Sequence, residues 1–159
     1  MKIEFIEEQK FTQWWLWLIL ILVGVLPIIG IYKQIILEEP LGDNPISDLG
    51  LIIFSVFIFL LIGLFILMKL KTKIDKDTIE MSFFPFVKKI TKWTEIKKAE
   101  VVNYGFVGGW GIRLWTKYGT VYNVKGNKGM AIELQNGKKF LIGTQKVAEM
   151  NEIVKKASG

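Results

Sequence analysis

The 159-residue chain has no cysteine and no histidine, which excludes disulfides, thiolate nucleophiles, His-based triads and zinc sites with Cys or His ligands. Its hydrophobic fraction of 51% is high for a soluble chain of this length, and the length itself fits one domain, or a small domain with a membrane anchor. The net charge of +6 is unevenly spread: residues 1–68 hold three lysines against seven acids, whereas residues 69–159 carry a net +10.

Residues 1–13, "MKIEFIEEQKFTQ", set Ile3 and Phe5 in alternation with charged neighbours, the pattern of a short strand. Three readings stay open for this segment: a frayed tail, an extension of the first helix, or a strand in which residues 2–6 pair with a sheet edge, with Ile3 and Phe5 inward and Lys2 and Glu4 toward water.

Two uncharged apolar blocks follow, at residues 14–32 and 49–68, each near the roughly 20 residues an α-helix needs to cross hydrocarbon. The first reads as a retained anchor, because Glu4, Glu7 and Glu8 precede it in place of a basic region and no A-x-A-like cleavage site follows. Trp14, Trp15 and Trp17 suit a headgroup boundary, and Pro27 between Gly24 and Gly30 is expected to kink the helix. The linker carries one lysine against Glu38, Glu39, Asp43 and Asp48, with Ser47 or Asp48 as N-cap of the second helix. Lys69, Lys71, Lys73 and Lys76 come directly after the second block, so the positive-inside rule puts the linker outside and both termini in the cytoplasm.

From about Thr72 the pattern turns to short alternating segments: "TIEMSFFPF", "ITKWTEIKKAEVVNY", "GIRLW", "GTVYNV", "GMAIEL" and "KKFLIGT". Asn136–Gly137 between two such runs predicts a two-residue type I′ hairpin. The last segment, "TQKVAEMNEIVKKA", places Val147, Met150, Val154 and Ala157 on one helical stripe, with Thr144 as its cap and Lys155 and Lys156 at its negative end. About seven strands followed by one amphipathic helix describe a small barrel or sandwich, plugged by that helix.

The stretch "NYGFVGGWGIRLWTKYGTVYNVKGNKGMAIEL" is crowded with glycine, but no Lys-Ser/Thr pair follows the glycines and no helix opens after them. A phosphate-binding loop needs both, so the glycines read as turns and close-approach points of a β domain.

The strand–helix order, with "GGWGIR" at 108–113 and "YNVKGNKGMAIELQNGKKFLIGTQ" at 122–145, resembles the bacterial PH-like (pleckstrin-homology-like) domains of small two-span membrane proteins of uncharacterised function. The opening "FIEEQKFTQWWLWLIL" resembles the start of that group as well. The resemblance implies an α+β chain: a transmembrane hairpin (residues 14–68), then a PH-like seven-stranded β-barrel or sandwich capped by a C-terminal helix (residues 69–159). It carries over no catalytic, cofactor or metal residue, and PH-like scaffolds serve several binding functions.

Candidate contacts follow from residue chemistry. Lys69, Lys71, Lys73, Lys88, Lys89 and Lys92 form a basic face suited to anionic lipid, and Trp110 and Trp115 suit a protein partner, Trp110, among turn glycines, being the better placed for exposure. Arg113 is the lone arginine, expected to make a bidentate structural contact with Glu133 or Glu100. Asp75 and Asp77 read as solvated turn residues. The expected function is a non-enzymatic interaction or scaffold module in the cell (inner, cytoplasmic) membrane, an accessory of a membrane assembly. Its partners would be membrane lipids and another membrane protein or itself, with no nucleic acid, cofactor or small-molecule substrate identified. The alternative is an electrostatic sensor of anionic lipids, and a membrane enzyme ranks third.

Overall fold

The computed structural model describes residues 3–158, with two compact units: Thr12–Leu67, and Met1–Phe11 together with Met68–Gly159. The chain is α+β: two apolar helices, two sheets of four and five strands, and a C-terminal helix.

In the helical unit, α1 (Trp14–Gly30) runs into a π-helical turn (Ile31–Ile36), and α2 (Asp48–Leu67) follows the linker. Both are long and apolar enough to cross a membrane, at 23 residues for Trp14–Ile36 and 20 for Asp48–Leu67. Pro27 sits inside α1, and the departure from α geometry comes after Gly30, where Leu37 N–H reaches the Tyr32 carbonyl at 3.0 Å. Gly24, Pro27 and Gly30 are buried on α1, as are Leu51, Ser55 and Ile58 on α2. A Cβ on Gly24 or Gly30 would approach Ile62 or Leu51 to 3.0 Å, so small residues let the two helices pack closely. Ser47 is the cap of α2: its hydroxyl accepts from Gly50 N–H at 3.2 Å, and its carbonyl takes Leu51 N–H at 2.9 Å.

The first sheet of the other unit has the order β1 (Ile3–Lys10), β2 (Lys69–Asp75), β3 (Thr78–Phe84), β4 (Val87–Lys92), all antiparallel. The N-terminal segment is thus a strand, paired with β2 from Ile3↔Asp75 to Lys10↔Lys69. Phe5 is buried, as expected, whereas the directions expected of Lys2, Ile3 and Glu4 lie outside the described residues. The sheet begins at Lys69, not Thr72. In "KLKTKID" the lysines alternate with buried Leu70, Thr72 and Ile74, so the residues that read as a topology signal are also the outer face of a strand.

The second sheet has the order β5 (Ile96–Asn103), β8 (Lys128–Leu134), β9 (Lys139–Gly143), β7 (Gly119–Asn123), β6 (Gly111–Thr116), with β7 and β9 parallel. Eight strands follow α2 where seven were expected. The run "ITKWTEIKKAEVVNY" is two of them, split by a 3₁₀ turn (Trp93–Glu95) in which Glu95 accepts Lys92 N–H at 2.9 Å. The two sheets stay separate and do not close into a barrel.

Their packing follows from one cross-strand row, Glu7–Thr72–Met81–Lys89, on the inner face of the first sheet. At one end of the row Lys89 lies over the Phe140 ring of β9; at the other Glu7 bonds Thr144, just past β9. Three strand spacings cover about 14 Å, as do four residues of extended chain. Strand β9 therefore runs across the strands of the first sheet, the near-orthogonal way of stacking sheets. Leu70, Ile74, Met81 and Phe83 from one sheet and Met130, Phe140 and Ile142 from the other are almost wholly buried. Helix α3 (Val147–Ser158) adds Met150, Ile153 and Val154, whereas Ala157, expected on its stripe, is exposed.

The β8–β9 hairpin falls at Asn136–Gly137 but differs from the expected turn. Gly137 N–H returns to the Leu134 carbonyl and Leu134 N–H takes Lys138 O, both at 2.9 Å, and Gly137 has φ +80° while Asn136 stays in the ordinary region. This is a three-residue loop with a bulge at the glycine, in which the Asn136 side chain accepts Lys138 N–H at 3.0 Å.

Candidate functional site

Of the six lysines expected to share one basic face, five do and Lys89 does not. Cross-strand pairing puts Lys69, Lys71, Lys73, Lys88 and Lys92 on the outer side of the first sheet, with Ile6, Glu8, Glu80 and Ile90 among them. Lys69 meets Glu8 at 3.4 Å and Lys88 meets Glu80 at 3.0 Å. Lys71 and Lys73 have no ion pair among the described residues. Lys89 belongs to the other face, since it pairs with Met81 and its ammonium sits 3.6 Å from the Phe140 ring centroid. Burial, with a smaller contribution from nearby Lys138, holds its pKa below the usual lysine range.

Glu7 and Gln9 share the inward face of β1 with Phe5 and Phe11, and all four are buried. The Glu7 carboxylate accepts from the Thr144 hydroxyl at 2.6 Å and from Gln145 N–H at 2.7 Å, while Gln9 donates to the Gly143 carbonyl at 2.8 Å. Thr144 in turn accepts Lys146 N–H at 3.0 Å, just ahead of α3. An anionic residue there also suits the helix N-terminus. The period-two spacing of Phe5, Glu7, Gln9 and Phe11 was visible in sequence; polar residues on an apolar face hid its meaning.

The glycine-rich segment is a set of turns. Gly105, Gly108, Gly109, Gly111, Gly119 and Gly126 all have positive φ. At Gly119 a Cβ would collide with the Lys139 carbonyl, so β7 and β9 meet there only because the side chain is absent. A buried polar network holds the base of the 105–110 loop. Asn123 donates to Tyr104 Oη at 3.1 Å and to the Gly109 carbonyl at 3.4 Å, and Tyr104 donates to the Gly126 carbonyl at 3.1 Å. A shallow groove lined by Phe106, Val107, Trp110, Asn123 and Asn127 opens over this network.

Arg113 serves that loop and not a carboxylate. Its Nη2 donates to the Trp110 carbonyl at 2.7 Å, beneath Gly109, where a Cβ would come within 2.6 Å of the guanidinium. The acids expected as partners are engaged elsewhere: Glu133 with Lys97 at 2.9 Å and Lys139 at 3.3 Å, and Glu100 with Lys98 at 2.9 Å. Hydrogen bonds from Lys97 and then Lys139 keep the Glu133 carboxyl below its ordinary pKa.

Trp110, the aromatic expected to be exposed, is 37% so, whereas Trp115 is 95% and Phe106 88% exposed. Trp115 has φ +55°, at the irregularity between Arg113 and Thr116 where β6 leaves register with β7. Strand β6 is a sheet edge, paired on one side only. Both tryptophans are legible in sequence as candidates, but no regular alternation marks a bulge in "RLWT", so the order of the two, with Trp115 the more exposed, is not. Asp75 is a turn-former: its carboxylate accepts Asp77 N–H at 2.9 Å and Thr78 N–H at 2.7 Å, and the first of these chiefly lowers its pKa. Compared with protein families, curated proteins and solved structures, the chain matches none.

Proposed function

We propose that this protein is a non-enzymatic, membrane-anchored interaction module. In this reading α1 and α2 cross the cytoplasmic membrane, the sheet unit is a PH-like domain in the cytoplasm, and a partner protein of a membrane assembly adds a strand along β6. The observation that carries the reading is Trp115, a large apolar side chain 95% exposed on an edge strand at φ +55°. A non-glycine residue in that region costs on the order of 1–3 kcal/mol, and such strain concentrates where ligands or partners are held. Exposed edges accept strands, and a tryptophan is a frequent interface anchor. Leu114, also exposed, lies beside it.

The PH-like assignment draws support from the crossing of β9 over the first sheet and from the C-terminal helix packed on β5 and β8. Nine strands in two open sheets and the parallel β7–β9 pair depart from the expected pattern. Both termini on one side of the membrane fits the pairing of β1, which precedes α1, with β2, which follows α2.

A photo-crosslinking residue at Leu114 tests the reading in intact membranes. A defined protein adduct, lost in Trp115→Ala and absent from the same probe at Lys76, is the expected result. No adduct, or one indifferent to Trp115, would remove β6 as the docking edge. A second reading, sensing of anionic lipids, is favoured by Lys71 and Lys73, which lack acidic partners among the described residues. It requires full-length protein in neutral nanodiscs to capture phosphatidylserine vesicles, with capture lost in Lys71→Gln/Lys73→Gln.

A further inference from the structure

We infer that the β3–β4 turn is a membrane contact in its own right, in which Phe84 and Phe86 enter the headgroup–acyl boundary of the bilayer that α1 and α2 cross. The inference rests on the reading that those helices span a membrane. Phe83 is fully buried, yet Phe84 and Phe86, either side of Pro85, are 47% and 54% exposed. From Phe83 to Val87 the turn carries no charge. At the opposite end of β3, the turn from β2 is the charged pair Lys76–Asp77, directly after Asp75.

Register and covalent connection say which surface the apolar tip meets. The row Lys10–Lys69–Phe84 ends the first sheet, and the turn continues past Lys69 on the side from which β2 begins. Lys69 is two residues from Leu67, the last residue of α2. Only Met68 separates Leu67 from Lys69, the cross-strand partner of Phe84, so chain connectivity alone tethers the turn to the end of the apolar helix. Each interfacial layer of a bilayer is several ångströms deep, and a phenylalanine tip so tethered can enter it. Lys10 and Lys69 share the single carboxylate of Glu8, at 3.8 and 3.4 Å, and Lys71 follows along β2. Surplus positive charge beside exposed aromatics matches an anionic headgroup layer over acyl chain.

The chain has no cysteine, so single-site labelling is clean. Full-length protein with a bimane at Phe84→Cys or, separately, Phe86→Cys is placed in nanodiscs of phosphatidylcholine and phosphatidylglycerol. These contain lipid spin-labelled near the headgroup. Bimane at Phe57→Cys in α2 and at Lys76→Cys serve as the two references. Loss of emission to the lipid spin label at either turn position, with protection from aqueous iodide, supports the inference when Lys76→Cys shows the reverse. If Phe57→Cys is quenched by lipid while both turn positions behave as Lys76→Cys does, the turn is no membrane contact and the spanning reading stands. Absence of lipid quenching at Phe57→Cys overturns the spanning reading and this inference with it.

Discussion

The Glu7 carboxylate and the Thr144 hydroxyl lie 2.6 Å apart across 137 residues of sequence, and both residues are buried. Through this contact β1 belongs to both sheets: its backbone extends the first, and its side chains hold the end of β9 and the entry to α3. Glu7→Ala leaves the Thr144 hydroxyl and Gln145 N–H without their acceptor. Losing a charged partner from buried donors costs on the order of 1.5–3 kcal/mol. Thermal unfolding of the full-length protein in detergent should show that loss, and hydrogen exchange should speed up at residues 5–10. An unchanged midpoint would reduce Glu7 to a bystander.

Arg113 closes the 108–113 loop through one neutral acceptor, the Trp110 carbonyl. Arg113→Lys is therefore expected to cost about 1 kcal/mol, the net value of such a hydrogen bond, less than a buried bidentate ion pair would. Its clearer signature is local, with faster amide exchange at residues 108–111 and a shift in Trp110 emission. Gly109→Ala should reproduce that signature, because the added methyl displaces the guanidinium. Loss of stability without any change in the loop would point to a partner other than Trp110.

What could be read from the sequence was what a local rule governs. Two uncharged blocks gave the apolar helices, alternation gave most strands, and Asn136–Gly137 gave a hairpin of the right position. Strand β2 is masked in sequence because its lysines also satisfy a topology rule, which hides the Leu70–Thr72–Ile74 alternation. Lys89 looked like Lys88 and Lys92 because a face is assigned by register, and register is set by pairing with β3. Arg113 was matched to acids by charge, yet Glu133 and Glu100 already hold lysines from their own neighbourhood. Glu7 needed a partner 137 residues away, which no window of sequence contains.

The half-buried ammonium of Lys89 makes stability depend on pH in the alkaline range. Burial and then Lys138 depress its folded-state pKa below the ordinary 10.5. The unfolded chain keeps this proton to higher pH, so between the two values it binds more protons and stability gains as pH rises. Below the folded pKa the cost of the buried charge is fully present. Tyr104 and Tyr122, whose pKa values burial raises, titrate in the same range but are common to both proteins compared. Wild type minus Lys89→Met, measured by denaturant unfolding, should therefore shift in favour of wild type from neutral pH to about 10. A flat or falling difference would mean that Lys89 is solvated in the folded protein.

The orientation proposed for the two apolar helices gives the last test. The stretch from Lys33 to Asp48 holds Glu38, Glu39, Asp43 and Asp48 against Lys33, while Lys69, Lys71 and Lys73 follow α2 directly. Lysine-rich flanks stay in the cytoplasm, and the β1–β2 pair requires both flanks to share a compartment. Asn44 in the linker and Lys125 in the β7–β8 turn are both exposed, so a cysteine at either reports its compartment and not its burial. In intact cells, Asn44→Cys should react with an impermeant maleimide, and Lys125→Cys should react only after lysis. The opposite pattern would put the sheet unit outside, and with it every partner proposed for β6. Labelling of both positions in intact cells would instead deny that α1 and α2 together separate the linker from the sheets.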